Sequence, residues 1–215
     1  MVVELGKENS LLNQFVAELR DEIIQKDRLR FRKNLERIGE IFAYEISKRL
    51  NWEKKEITTP LGIATVPLLK EQPVVATILR AGLPLHLGIL NFFDKAENAF
   101  ISAYRKHHKD GTFDIQLEYV ASPDLNGKTL ILCDPMLATG SSLILTYKNL
   151  LHRGLPKHTH LVTIISSSEG IKYAKKHLPE NCTLWTAAID DDLTAQSYIV
   201  PGLGDAGDLA FGEKI

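Results

Sequence analysis

Two rhythms of apolar and polar positions run along this chain. Residues 9–21, NSLLNQFVAELRD, place Leu11, Leu12, Phe15, Val16 and Leu19 on one helical face, with Asn9 or Ser10 as N-cap. The stretch from Asp27 repeats the pattern with Leu29, Leu35, Ile38, Phe42, Ile46 and Leu50, charges lying elsewhere. Arg28, Arg30, Arg32 and Lys33 crowd its start and read as a solvated face. Beyond residue 50 the rhythm shortens. EITTPLGIATVPLL (56–69) carries Pro60, Gly62 and Pro67 and predicts a hairpin or arm. PVVATILR (73–80) and AFISAYR (99–105) are apolar runs that each end in arginine, with a helix predicted between them. Residues 106–127 are polar, with a turn at Asp110-Gly111 and alternation through Phe113, Ile115, Leu117 and Tyr119, as in a projecting hairpin. Then strand KTLILCD, helix SSLILTYKNLLHRG, strand THLVTIISSS, helix EGIKYAKKHL and strand CTLWTAAI follow. The closing YIVPGLGDAGDLAFGEKI is rich in glycine and reads as loop.

Strands alternating with helices predict an α/β fold, a mostly parallel sheet covered on both faces. Ligands of such sheets bind beyond the carboxyl ends of the strands. Polar groups gather where that rule wants them: Arg80, Arg105, Asp134 and Ser166–Ser168 each close an apolar run. The 215 residues suit one domain, with N-terminal helices over 1–50, the arm at 56–69 and a binding core over 70–215. Composition changes this picture mostly by exclusion. A net charge of −1 argues against a broad electrostatic grip on nucleic acid or an anionic membrane. No apolar run approaches the ~20 residues that cross a bilayer. The N-terminus MVVELGKENSLLNQF shows no secretion signal, and Cys133 and Cys182, with no CxxC spacing, read as reduced buried residues of a cytoplasmic protein.

The candidate chemistry centres on DPMLATGSS, residues 134–142. Asp134 ends a strand, Gly140 permits a tight backbone path, and Thr139, Ser141 and Ser142 bring hydroxyls to a helix start. Amides at a helix N-terminus bind phosphate, and the helix dipole assists. The loop lacks the GxxxxGK[ST] pattern and any lysine. An acid just upstream suits the vicinal hydroxyls of a sugar, which donate to a carboxylate. A phosphorylated sugar lying across the loop is one reading; a plain capped turn is the other.

ILCDPMLATGSS resembles the 5-phospho-α-D-ribose 1-diphosphate (PRPP) motif of the type I phosphoribosyltransferases. Asp-Pro in place of an acidic pair, followed by Met-Leu-Ala-Thr-Gly, is similar to the uracil phosphoribosyltransferase family. ILRAGL (78–83) and YIVPGLGDAGD (198–208) agree, and the similarity runs over nearly the whole chain. The resemblance implies that Asp134, Pro135, Met136, Leu137, Ala138, Thr139, Gly140, Ser141 and Ser142 carry the ribose and 5′-phosphate. It puts Arg80 and Arg105 near the diphosphate. Uracil would be read by backbone groups around Ile199, Gly204, Asp205 and Ala206, with Asp205 touching the PRPP ribose or helping to remove the N1 proton. A strained, cis-like peptide at Arg80–Ala81 is also implied.

The implied reaction joins uracil and PRPP to give UMP and diphosphate, a step of pyrimidine salvage. Mg²⁺ would arrive on PRPP rather than on protein ligands, since Pro135 stands where wider relatives have a second acid. Dimers or larger homo-oligomers are implied; some relatives respond to GTP, which no residue here predicts. Ser141 replaces the family's second loop glycine and would strain the loop if that position needs positive φ. Leu209 and Ala210, where the family is polar or basic, are expected at a subunit contact or exposed. His107 and His108 read as solvated loop residues, His86 as a packed or interface residue, and Trp52 and Trp185 as packing residues. Two alternatives stay open: a nucleotide-sensing RNA-binding regulator of the same fold, and a transferase for another base.

Overall fold

The computed structural model describes residues 1–107 and 113–214, and for residues 103–107 and 113–117 the backbone alone. In chain order the elements are β1 (Val2–Glu4), α1 (Leu11–Arg20), α2 (Arg28–Ser47), β2 (Trp52–Thr59), β3 (Gly62–Leu69), β4 (Val74–Leu79), α3 (Leu83–Leu90), β5 (Glu97–His107), β6 (Phe113–Ala121), β7 (Thr129–Cys133), β8 (Met136–Leu137), α4 (Ser141–Leu150), β9 (His158–Ser167), α5 (Ser168–His177), β10 (Cys182–Asp190), β11 (Asp192–Leu193), β12 (Ile199–Val200) and α6 (Ala206–Phe211). The main sheet runs β1-β10-β9-β7-β4-β5-β6, with β8 paired to β9. Its strands are parallel except β6, which runs antiparallel to β5.

The continuous apolar runs follow from this topology. Successive strand residues point to opposite faces, and both faces are covered, so both sets are mostly apolar and the polar exceptions, such as Thr163, Ser166 and Thr186, bond one another. Val75, Ile131, Cys133, Val162 and Ile164 join one core with Leu35, Ile38 and Phe42 of α2 and Leu85 of α3. Their neighbours Val74, Ala76, Leu130, Leu132 and Leu161 join the other with Leu143 and Tyr147 of α4 and Ile171 of α5.

Ser10 caps α1, accepting from the Leu12 N–H at 3.3 Å, and Asp27 caps α2. The predicted apolar faces hold at Leu12, Val16, Leu19, Leu35, Ile38, Phe42 and Ile46, whereas Leu11 and Leu29 are exposed. The arginines at the start of α2 are not simply solvated. Arg30 grips Glu18 through two bonds of 2.7 Å, and that hydrogen bond, with one from Asn34, holds the Glu18 carboxyl down at about 2. Arg32 donates to the Ala210 carbonyl at 2.7 Å.

The predicted arm is the antiparallel hairpin β2–β3, which starts four residues earlier than expected, at Trp52. Trp52 is half exposed on it and donates to the Ser47 carbonyl, so its packing is partial; Trp185 and His86 are buried as predicted. The Asp110-Gly111 turn and His108 lie outside the described residues, and so do the side chains of Arg105 and His107. Both cysteines are free and buried. Among the described residues no helix is long and apolar enough to cross a membrane.

Candidate active site at the carboxyl edge of the sheet

Because β4, β5, β7, β9 and β10 are mutually parallel, their carboxyl ends share one edge. β7 ends at Cys133, and the chain passes through Asp134 into β8, which lies along β9. The Asp134 N–H bonds the Val162 carbonyl at 3.0 Å, and Asp134 Oδ1 accepts from the Met136 N–H at 3.4 Å. Pro135 is buried, and its carbonyl accepts from the N–H groups of Ile164 and Ile165 at 2.9 and 3.0 Å. Met136 is half-buried, while the Leu137 side chain lies in the core, so Leu137 can meet a ligand only through its backbone.

The loop then closes on itself. Ser167 caps α5 and donates from Oγ to the Ala138 carbonyl at 2.5 Å, tying the loop to the neighbouring strand end. Thr139 Oγ1 donates to Ser141 Oγ at 3.2 Å and accepts from the Ser141 N–H at 3.4 Å. Gly140 is the N-cap of α4 at φ +83°, a left-handed conformation that favours glycine. A Cβ there would stand 3.1 Å from Tyr173 Cδ1 and 3.2 Å from the Gly170 carbonyl oxygen. Gly140 offers no capping side chain to the helix start, where the Ser141 N–H is already taken up by Thr139 Oγ1. Ser141 and Ser142 open the helix, both half-buried. Ser141 is not strained: among the described residues Ser197 is the only non-glycine with positive φ.

Arg80 follows β4. The turn after it folds against β7, since a Cβ on Gly82 would lie 2.3 Å from Thr77 Oγ1 and 3.0 Å from the Cys133 carbonyl oxygen. The non-proline cis peptide is Leu79–Arg80, one bond earlier than the resemblance suggested. Arg80 Nη2 donates to Asp208 Oδ1 at 2.8 Å and to the Gly212 carbonyl at 3.2 Å, and its Nε is buried without a partner. Arg105 lies on β5 with its backbone opposite Ile115.

The C-terminal segment is not the loop that its glycines suggested. It holds β12, paired with β11, and then the six-residue α6. A helix this short shows too little periodicity to be read from sequence. Ile199 is buried, Gly204 has φ +94°, and Ala206 is buried. Asp205 caps α6, its Oδ1 accepting from Gly207 and Asp208 N–H at 2.8 and 3.0 Å, a structural duty the sequence reading did not assign. Ala210 is fully buried, so it is not the exposed residue expected, while Leu209 is half-buried and packs against the core.

Sequence reasoning also missed the clamp that holds this segment. Arg20 reaches both oxygens of Asp190 at 2.8 Å and the Gly202 carbonyl at 2.9 Å, while Asp190 Oδ2 accepts from the Gly202 N–H at 2.9 Å. Burial alone would raise the Asp190 carboxyl; the bonds from Arg20 and Gly202 outweigh it and hold the carboxyl below its usual value. The one available signal was the acid ending the apolar run of β10. Ser166 fits its expected role least: it is buried, bonding Thr163 and Thr186. Among the described residues no three His, Cys, Asp or Glu side chains gather as a metal site.

The sheet order, the phosphate-type loop and the cation beside it define a phosphoribosyltransferase of type I architecture. A hypoxanthine phosphoribosyltransferase from Staphylococcus aureus shares the fold at 14% identity, TM-score 0.51, over 75% of this chain and 76% of that one. A solved structure from Aquifex aeolicus matches at TM-score 0.86 and 31% identity, over 99% of this chain and 98% of that one. The family model for uracil phosphoribosyltransferase matches residues 7–213. A uracil phosphoribosyltransferase from Porphyromonas gingivalis is 58% identical over 214 residues, covering 100% of this chain and 99% of the relative. One from Pyrococcus furiosus is 36% identical, covering 97% and 89%. The chain belongs to the uracil phosphoribosyltransferase family.

Proposed function

We propose that this chain is a uracil phosphoribosyltransferase working in pyrimidine salvage as one domain over 1–215, and that three parts of the carboxyl edge divide its reaction. Residues 134–142 hold the ribose 5-phosphate: Asp134 accepts from the ribose hydroxyls, while Thr139, Ser141, Ser142 and the amides opening α4 surround the phosphate. Arg80 and Arg105 face the diphosphate, where negative charge grows as the C1′–O bond breaks. Uracil N1 forms the new bond to C1′ through a transition state of oxocarbenium character, and its proton leaves. Backbone groups at Ile199 and Gly204–Ala206 read the O4 acceptor and N3–H donor of uracil. Cytosine reverses both, leaving buried groups unpaired, which sets selectivity on the order of 10⁴-fold.

The observation that supports this division is the position of Arg80: its turn packs on Cys133, next to Asp134, and its guanidinium bonds Asp208, two residues beyond Ala206. Mg²⁺ suits this donor set only as a cation carried by PRPP, because Asp134 has Pro135 and no second acid beside it. When bound, it offsets diphosphate charge. The protein works in the cytoplasm as a homo-oligomer; the exposed Ile57, Leu61 and Ile63 of the β2–β3 hairpin support the latter reading.

Labelled uracil incubated with PRPP, Mg²⁺ and the full chain should yield UMP and diphosphate, and Asp205→Asn should slow the reaction. Product from hypoxanthine or orotate but not from uracil would overturn the substrate assignment. Salt-dependent RNA retention without UMP synthesis would instead favour the regulator.

A further inference from the structure

We infer that Asp208 is a positioning residue for Arg80, so that the segment assigned to the base also aims the cation assigned to the diphosphate. Arginine on a strand end has a long side chain with many rotamers, and an anion that recruits it must first order it. Here the ordering is already done. One guanidinium nitrogen, Nη2, is tied to Asp208 Oδ1 at 2.8 Å and to the Gly212 carbonyl at 3.2 Å. Nε is left as a buried donor for which the protein supplies no acceptor. An acceptor brought by a ligand is what this arrangement lacks.

Asp208 is itself held from both ends of α6. At the N-terminal end Asp205 accepts from the Asp208 N–H at 3.0 Å. At the C-terminal end Arg32 donates to the Ala210 carbonyl at 2.7 Å, and the Gly212 N–H bonds the Asp208 carbonyl at 2.8 Å. The residues assigned to uracil, Gly204 to Ala206, lead directly into this short helix. Order in the base-binding segment is thereby transmitted to Arg80 through one carboxylate.

The inference rests on Arg80 meeting the diphosphate, and the experiment separates the two claims. Steady-state kinetics of the full chain with uracil, PRPP and Mg²⁺ would be measured for Asp208→Asn, Asp208→Ala, Arg80→Ala and the Arg80→Ala/Asp208→Ala double variant. Asp208→Asn should raise KM for PRPP about fivefold, the size expected for a half-exposed ion pair, with kcat and KM for uracil within about twofold. The double variant should be no worse than Arg80→Ala alone. Asn keeps the shape of Asp and leaves the Asp205 cap in place, so a normal melting temperature separates lost aim from lost folding. An unchanged or lower KM for PRPP in Asp208→Asn, or multiplicative losses in the double variant, would overturn the inference while leaving the site assignment standing. An Arg80→Ala variant with an unchanged KM for PRPP would overturn the assignment itself.

Discussion

The loop at residues 134–142 and the C-terminal segment, proposed to share one site, are held in place in different ways. Residues 134–142 are contiguous, and many of their hydrogen bonds stay among themselves or reach the adjacent strand β9: Thr139 to Ser141, Ser167 to Ala138, Pro135 to Ile164 and Ile165. Residues 199–212 bond locally within α6, through the Asp205 cap and the Gly212 N–H to Asp208, but depend as well on ties from outside. They are fixed by Arg20 through Asp190 and Gly202, by Arg32 through Ala210, and by Arg80 through Asp208, all from elements far away in sequence. A contiguous anion cradle can be specified by a local motif, because a strand end, a glycine and a helix start suffice. A base-reading segment must be carried to the cradle by the rest of the fold. Damage to the ties from Arg20 and Arg32 should therefore fall on uracil, and damage to the loop or to Arg80 should fall on PRPP.

The largest effect expected on this view comes from Asp190→Asn. It leaves Arg20, which is mostly buried, without its counter-charge and weakens the tie to Gly202. Breaking a buried pair on one side costs several kcal/mol, and part of that should appear as a tenfold to roughly hundredfold rise in KM for uracil. KM for PRPP should move less than threefold; an equal rise in both would break the comparison. Gly140→Ala is the converse. The methyl forces a left-handed residue against Tyr173 and the Gly170 carbonyl, at a cost of about 1–3 kcal/mol. KM for PRPP should rise about tenfold while KM for uracil stays near its original value.

The same difference decides what could be read without coordinates. The parallel sheet followed from apolar runs closed by Arg80, Arg105 and Asp134, and the structure puts those strand ends on one edge. The loop stood out because its motif lies in nine consecutive residues, although those residues alone left a plain capped turn equally open. Three other features were hidden for physical reasons. β1 is only three residues long and pairs with β10 across the whole chain. α6 is a single capped turn and a half between Gly204 and Gly212, too short for periodicity. The clamp joins Arg20 to Asp190, 170 positions apart, and no spacing rule connects them. Arg32 had looked solvated because a charge run gives no hint that one member bonds a backbone carbonyl.

A smaller effect that touches both regions alike sharpens the contrast. Near the opposite, amino-terminal end of β9, His160 accepts from Trp185 Nε1 through Nδ1 at 3.0 Å. Burial first, then the charges of His158 and Arg49, push its pKa down to about 3. The neutral ring is the folded form, so its contribution to stability is whole above the ordinary value near 6.5 and fades as pH falls from there toward 3. A proton on Nδ1 would also face the Trp185 N–H. Folding free energy should decline by up to about 1.4 kcal/mol per pH unit between pH 6 and 4. His160→Gln should flatten that slope in urea titrations, and both substrate affinities should follow the folded fraction together. A slope that persists in the variant would assign it elsewhere, His158 and His86 being shifted the same way by burial.

The smallest effect belongs to Ser141→Gly, and it tests how self-sufficient the loop is. The family's second glycine invites the idea that serine strains this position. Yet Ser141 begins α4 without positive φ, and its hydroxyl accepts from Thr139 Oγ1 while its N–H reaches back to the same oxygen. No strain is there to relieve. Glycine would remove one hydroxyl contact and loosen the first helical turn, effects of about 0.5–1 kcal/mol each in the unfavourable direction. The dissociation constant for PRPP should therefore stay within about threefold of the parent or rise slightly. A substantially tighter constant would mean that the cradle is strained in a way its backbone does not display, and the loop would lose its claim to be the locally determined half of the site.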